Sequence, residues 1–448
     1  MKLAVVGAGW AGLAAAVALK EAGATVTVFE AAPIAGGRAR RVDDVKMGPI
    51  DNGQHLLLGA YAQTLALLKH LHPGRPLSEL IHRIPLHLES ADGDFCLKAA
   101  NLRAPFHTLG GLLNARGLSW RDRWQAIRMM ASLKQKRWQA PALMSVAQLL
   151  EQHHQSALLC RRLWAPLCLA SLNTSSDQAC AQLFLNVLRD SLDAPRADSD
   201  LLIPSVDLTT LWPQAAADAA TMRYRHIVRE VCPAPSVVTI DGEAFEGCVL
   251  ATPPYACARI LKPRESSDAS DILLAQLGAF QYRSIATLTL QLEVPWSPPQ
   301  AILLLDEDPA RGHFGQWLFK RPQAPDQLSV VISDAADYLK HERVSFVDNI
   351  ARQIREQVQR HPTSRRGAQQ SMPAVSSHRL IVEKRATFAA VPGLQRPRNQ
   401  SPWPRLSLAG DWTDTGYPAV LEGAVRSGQQ AAKTLTETLQ RGGSWSLR

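Results

Sequence analysis

The sequence predicts an α/β fold: a Rossmann-like domain, a discontinuous α+β second domain and a helical region. Three observations predict it. Residues 1–55 read as strand, glycine-rich turn, helix, strand and acidic residue. Apolar runs at 248–250 and 406–411 read as strands that return the chain to the same sheet. The segments between them change pattern, helical over 99–192 and strand-rich over 284–388.

The first strand is Lys2-Leu3-Ala4-Val5-Val6, and Gly7-Ala8-Gly9-Trp10-Ala11-Gly12 follows at once. Each part suits a dinucleotide. Gly7 allows the tight turn, Gly9 lets backbone approach a pyrophosphate, and Gly12 lets the helix pack against the sheet. Trp10 and Ala11 open that helix, whose unpaired N–H groups hold phosphate charge. The second strand, Ala24-Thr25-Val26-Thr27-Val28-Phe29, ends on Glu30, placed to accept both ribose hydroxyls. Gly36, Gly37 and Arg38 then supply a second close backbone approach and a fixed cation. An NAD site does not need that second phosphate clamp.

Composition bounds the rest. With 448 residues, 46% hydrophobic and 20% charged, the chain suits two or three globular domains. Its net charge of +9 comes without zinc-finger spacing, an aromatic RNA-binding signature or a lysine-rich tail, so no nucleic-acid partner is expected. Seven cysteines, an odd number with no CxxC pair, read as reduced residues of a cytoplasmic protein. The apolar N-terminus contains the glycine fingerprint and lacks a cleavage pattern, so it is not read as a signal peptide. No window reaches the ~20 apolar residues of a membrane span. The chain is expected to be soluble or attached to a membrane from one side.

Residues 56–71 read as a helix, and 83–97 as alternating strands around a turn at 91–94. Over 120–138, Trp120, Trp124, Ile127, Ala131 and Trp138 fall near one helical face among Arg121, Arg123, Arg128, Lys134, Lys136 and Arg137. Such a basic amphipathic helix suits either an anionic lipid surface or the cover of a domain core. His153 and His154 are adjacent, so they point to different faces and read as a solvated pair rather than metal ligands. Residues 225–231 and 236–240 read as strands, with a turn at 241–243. Strands are expected at 284–292, 328–333 and 380–388, a helix at 346–358, and an exposed basic loop at 362–371. The strand at 406–411 ends in Gly410-Asp411, and a helix rich in small residues runs over 422–432.

Strand, glycine fingerprint, ribose carboxylate, the Gly36-Gly37-Arg38 clamp and the Gly410-Asp411 block together resemble the flavin-containing amine oxidase and phytoene desaturase superfamily. Within it, the runs at 51–61, 172–174 and 383–388 look like the hydroxysqualene dehydroxylases, the squalene-associated FAD-dependent desaturases of bacterial hopanoid and carotenoid pathways. The resemblance covers essentially the whole chain. It implies an FAD-binding domain assembled from 1–60, 205–262 and 400–448, and a substrate domain from 61–204 and 263–399. It implies FAD held by Gly7, Gly9, Trp10, Ala11, Gly12, Glu30, Gly36, Gly37, Arg38, Val228, Gly410, Asp411, Pro418, Ala419 and Glu422. Asp411 would accept a ribityl hydroxyl, and the helix after it would face the flavin N1/O2 edge. The segment before Val228 departs from the pattern in lacking a glycine.

The implied reaction is reductive loss of the hydroxyl of hydroxysqualene to give squalene, with an isoprenoid lipid as small-molecule partner; the basic stretch at 120–138 suits a peripheral position on the inner face of the cytoplasmic membrane. A general acid is needed, and Asp51, His55 and Glu422 are the candidates in motifs expected near the ring. No metal is implied. A carotenoid-type desaturase would use the same fold, and an amine oxidase is a further alternative. The single dinucleotide fingerprint leaves no dedicated nicotinamide domain.

Overall fold

The computed structural model describes residues 1–263, 267–338, 343–365 and 371–443. Its first layer is a parallel five-stranded sheet in the order Thr221–Arg223, Thr25–Phe29, Lys2–Val6, Gly247–Leu250, Leu406–Leu408. Leu3, Ala4, Val5 and Val6 are all buried, as a parallel strand covered on both faces requires. Three distant stretches of chain therefore build one sheet, as the apolar runs at 248–250 and 406–411 predicted.

The helix Trp10–Glu21 follows the glycine turn, and the C-terminal helix Leu421–Gly443 packs along it. Glycine makes both approaches. A Cβ on Gly12 would stand 1.9 Å from the Gly7 carbonyl oxygen, and one on Gly428 would stand 2.1 Å from that of Ala11. The small residues of the last helix thus serve mainly to seat it on the first helix.

The second layer is an antiparallel sheet in the order Ile302–Leu304, Trp317–Lys320, Gln327–Ser333, Tyr282–Leu292, Val375–Phe388. Its alternation divides two jobs. Ala286, Leu288 and Leu290 face a core shared with Phe346, Ile350 and Ile354 of the helix Arg343–Arg360. Ile285 and Thr287, on the opposite face, line the main cavity.

Several expectations shift. Residues 56–71 open with a two-residue strand, Leu57–Leu58, paired to Leu201–Pro204, and the helix begins only at Ala62. Residues 226–230 form no strand. The short strands there are Val231–Pro233 and Val238–Ile240, because His226, Ile227 and Val228 instead line the nucleotide end of the cavity. Arg225 has φ +56°, the left-handed conformation a glycine adopts without strain, which accounts for the glycine expected in this segment. The basic loop over 362–371 begins as the short helix Pro362–Arg365, and 366–370 lie outside the described residues.

The basic helix spans Trp120–Gln135, started by a Ser119/Asp122 capping box. Trp138 lies beyond it, buried, with its indole N–H donated to Asp193 at 3.3 Å. It does not share the face of Trp120 and Trp124. The helix buries Ala126, Met129 and Leu133, and leaves Trp120 and Trp124 65% and 54% exposed. Among the described residues no helix is long and apolar enough to cross a membrane.

Candidate functional site

One cavity runs from the glycine turn into an apolar chamber. At its nucleotide end stand Gly7, Gly9, Trp10, Ala11, Glu30 and Val228. Gly7 takes φ +104°, which a side chain would strain. Gly36 donates its N–H to Ala8 O at 2.8 Å, so the second glycine pair docks on the first turn. A Cβ on Gly37 would stand 2.9 Å from Gly9 Cα. A Cβ on Gly9 would meet nothing closer than 3.9 Å, so bare backbone faces open space there, as a pyrophosphate requires. The Glu30 carboxylate accepts from Ala8 N–H at 2.7 Å and Ala32 N–H at 2.8 Å. These bonds fix its direction and leave lone pairs for a ribose. The residues present fit a dinucleotide.

The middle of the cavity holds the clamp. Arg38 donates to Ala386 O at 2.5 Å and pairs with Asp411 at 2.7 Å. Burial works against its charge, and the Asp411 partner outweighs that and raises its pKa. Arg38 and Asp411 are thus paired with each other, and both line the cavity. Gly410, Asp411 and Ala419 line the cavity, while Pro418 is buried just before the last helix.

Sequence reasoning missed the residue that organises this loop. Arg396 donates to the carbonyls of Trp412 (3.2 Å), Tyr417 (2.6 Å), Asp411 (2.9 Å) and Thr413. Its guanidinium also lies over the Phe388 ring at 4.8 Å. Nothing in its flanking sequence marks it, because its partners are carbonyls that carry no side-chain signature.

The three acid candidates separate. His55 lines the cavity, and its Nδ1 sits 2.8 Å from Gly53 O. A carbonyl only accepts, so Nδ1 carries the proton and Nε2 is the nitrogen that titrates. Burial pushes its pKa down, the Gly53 bond partly offsets this, and Arg38 adds to the lowering.

Glu422, expected as acid and cofactor ligand, is absent from the cavity wall, and its carboxylate is engaged elsewhere. Fully buried, it accepts from Gln63 N–H (3.1 Å), Thr64 N–H (3.0 Å) and Thr64 Oγ1–H (2.7 Å), and pairs with Arg426 at 2.7 Å. It caps the helix Ala62–Leu71, which has no capping side chain of its own. Asp51 is likewise engaged elsewhere. Its carboxyl accepts Leu208 N–H at 2.9 Å, at the start of the helix Leu208–Leu211, and is absent from the cavity wall.

Burial raises the Asp51 pKa to about 6, against an ordinary value of 3.8. A carboxyl raised on folding contributes stability that is full below its unfolded value and is lost as pH rises through 6. Asp51→Asn keeps the acceptor without the charge. Thermal unfolding from pH 4 to 7 should show the wild type losing about 2 kcal/mol relative to the variant. Parallel profiles would remove Asp51 as the source.

The runs at 51–61, 172–174 and 383–388 meet around the cavity. Asn173, at φ +48°, donates from Nδ2 to Thr387 Oγ1 at 2.9 Å and accepts Asp334 N–H at 2.7 Å. Thr174 Oγ1 accepts Ala390 N–H at 3.1 Å. Gly59 approaches Ala197 so closely that a Cβ would stand 1.8 Å from its carbonyl oxygen. Beyond the clamp, the chamber wall is apolar, including Leu88, Leu97, Leu163, Phe184, Trp317 and Phe319. Its far end reaches Leu112 and Met130, on the helices Phe106–Leu113 and Trp120–Gln135.

Residues 10–436 match the family model described as flavin containing amine oxidoreductase. A hydroxysqualene dehydroxylase of Rhodopseudomonas palustris is 32% identical over 96% of both chains. One of Sinorhizobium fredii is 28% identical, covering 97% of this chain and 98% of its own. Among solved structures, cyclohexylamine oxidase from Brevibacterium oxydans superposes with a TM-score of 0.70 at 18% identity, over 98% of this chain and 99% of its own.

Proposed function

The chain belongs to the flavin-containing amine oxidoreductases, in their hydroxysqualene dehydroxylase branch, and on that premise we propose that it reductively converts hydroxysqualene to squalene. The observation that carries this reading is the continuity of the cavity, dinucleotide cradle at one end and apolar chamber at the other. Reduced FAD, when bound, would supply the hydride. The remaining work falls to the protein. Gly7, Gly9, Glu30 and the Arg38–Asp411 pair would hold the cofactor. Apolar walls exclude water, which would otherwise recapture the allylic cation left when the hydroxyl departs. His55, protonated at Nε2, delivers the proton with which the hydroxyl leaves as water. The balance is one hydride and one proton consumed, one C–O bond broken, one C–H bond formed and one water released.

The test is anaerobic incubation of the chemically reduced holoprotein with hydroxysqualene, then mass analysis of the extracted lipid. Squalene appearing as the flavin reoxidises is the expected result. New double bonds introduced into an isoprenoid by the oxidised protein, with no squalene formed, would replace this reading with a desaturase.

A lipid substrate must reach the chamber, and the two helices at its far end are suited to a membrane surface. Their inner residues Leu112 and Met130 line the chamber, while Phe106, Trp120 and Trp124 stand exposed on the outside. Arg103, Arg121 and Arg128 are exposed beside them. Aromatic residues flanked by cations favour the interface of an anionic bilayer. A Trp120→Ser/Trp124→Ser variant should bind phosphatidylglycerol vesicles roughly tenfold or more weakly in co-sedimentation. Its flavin content should not change. Equal co-sedimentation of the variant and the wild type would take these helices out of the contact.

A further inference from the structure

Outside the flavin cavity, the residue cluster with the most specific chemistry lies on the hairpin His87–Glu89/Cys96–Lys98. The register pairs Glu89 directly with Cys96, and His87 lies two residues from Glu89 on the same face. The opposite face presents Leu88 and Leu97 to the cavity. The hairpin thus has an apolar wall on one side and a nitrogen, an oxygen and a sulfur together on the other.

Their spacing suits a metal ion. His87 Nε2 lies 3.1 Å from Glu89 Oε2 and 3.4 Å from Cys96 Sγ, and all three ligand atoms lie within 4.8 Å of one another. Ordinary zinc bond lengths at tetrahedral angles put N···O near about 3.3 Å and N···S near about 3.6 Å. Glu89 is 4% exposed, and its other oxygen is held by Arg116 at 2.9 Å. An oriented carboxylate of this kind is the usual support of a ligating group. A second observation comes from a distant part of the chain. His361 is buried beside the cluster; its Nδ1 accepts Thr363 N–H at 3.3 Å, so Nε2 carries the proton and faces Glu89 Oε1 at 3.4 Å, which helps to hold the carboxylate in place.

We propose that His87 Nε2, Glu89 Oε2 and Cys96 Sγ form a binding site for one divalent transition-metal ion of borderline softness, with zinc as the fitting member. One imidazole, one carboxylate and one thiolate match its preferences, and solvent supplies the fourth position. On binding, the Cys96 thiol releases its proton to solvent. The ion joins the two strands of the hairpin on the side away from the cavity, so it stiffens a wall of the substrate chamber without entering it. The site is independent of the dehydroxylation reading.

The test uses the full chain with its flavin bound. The protein is incubated with zinc chloride, dialysed, and its metal measured by mass spectrometry. In parallel, cobalt(II) is titrated and the near-ultraviolet thiolate-to-cobalt band recorded. Retention of about one ion per chain, with a cobalt–thiolate band, is expected. Cys96→Ala and His87→Gln should each lose the ion and the band while keeping the flavin. Zinc should raise the melting temperature of the wild type and not of His87→Gln. Two variants are used so that a folding defect in one leaves the other to decide. The proposal is overturned if the unmodified chain shows no cobalt–thiolate band, or if a flavin-retaining variant binds as much metal as the wild type.

Discussion

Arg396→Ala will yield a chain that fails to retain flavin and unfolds more readily. Between the strand Leu406–Leu408 and the helix Leu421–Gly443 the backbone forms no ladder, and the carbonyls of Asp411, Trp412 and Tyr417 find their partner in Arg396. Arg396 satisfies four of them and also reaches Thr415 Oγ1 at 3.2 Å. Burial lowers its pKa to about 10, so it remains charged at neutral pH. Truncation leaves buried carbonyls unpaired at about 1–3 kcal/mol each. A loss of at least about 3 kcal/mol is expected overall. Lysine is not a rescue, because a point charge cannot span carbonyls that a planar fork reaches together. The loop carries Gly410 and Asp411, so its loosening also releases the partner of Arg38. The ratio of flavin to protein absorbance and urea unfolding check both effects. Full flavin occupancy in Arg396→Ala would show that the loop holds its shape without the guanidinium.

His55→Gln will lower turnover by about 10²–10⁴-fold while leaving flavin content unchanged, the range expected for loss of a positioned proton donor. The sign of the pH dependence is the stronger check. On the proposed assignment the active form is the imidazolium, protonated at Nε2, and burial places its pKa below the ordinary 6.5. Turnover of the wild type should therefore rise toward acid pH. Above neutrality it should fall about tenfold per pH unit, since the protonated fraction falls so. In His55→Gln that limb disappears. A wild-type rate flat from pH 6 to 8, or a variant within tenfold of it, would move the proton to another group lining the cavity. Tyr61 and Tyr417 are the next to test. Tyr417 already donates its hydroxyl to Asp190 at 2.6 Å.

The contrast among His55, Asp51 and Glu422 shows why a site is harder to read than a fold. All three stand in motifs near the flavin block, and local sequence treats them alike. Asp51 ends the strand Gly48–Asp51, and its carboxyl meets the helix Leu208–Leu211, more than 150 residues away in the chain. Glu422 sits in the first turn of its helix, where an acid complements the helix dipole, yet its oxygens cap a different helix. Asp51 also has the raised pKa that a neutral acid needs, yet its carboxyl is absent from the cavity wall, and a proton donor must reach the atom it serves.

The dinucleotide unit was legible because its physics is local. A tight turn, a backbone approach and a helix start occur within a dozen residues, and each dictates a residue type where it stands. Gly12 and Gly7 meet across one turn, so a single stretch of sequence contains both the requirement and its solution. The strands at 247–250 and 406–408 were legible for a related reason, because burial on both faces writes a continuous apolar run. Long-range pairing left no such trace. Arg396 on its loop carbonyls, Asn173 on Thr387, and His361 against Glu89 join segments whose sequence spacing bears no relation to their distance in space. Local steric and hydrophobic demands are imprinted on neighbouring residues. The partner of a polar side chain is chosen only when the packed sheets and helices bring two distant segments within hydrogen-bond reach.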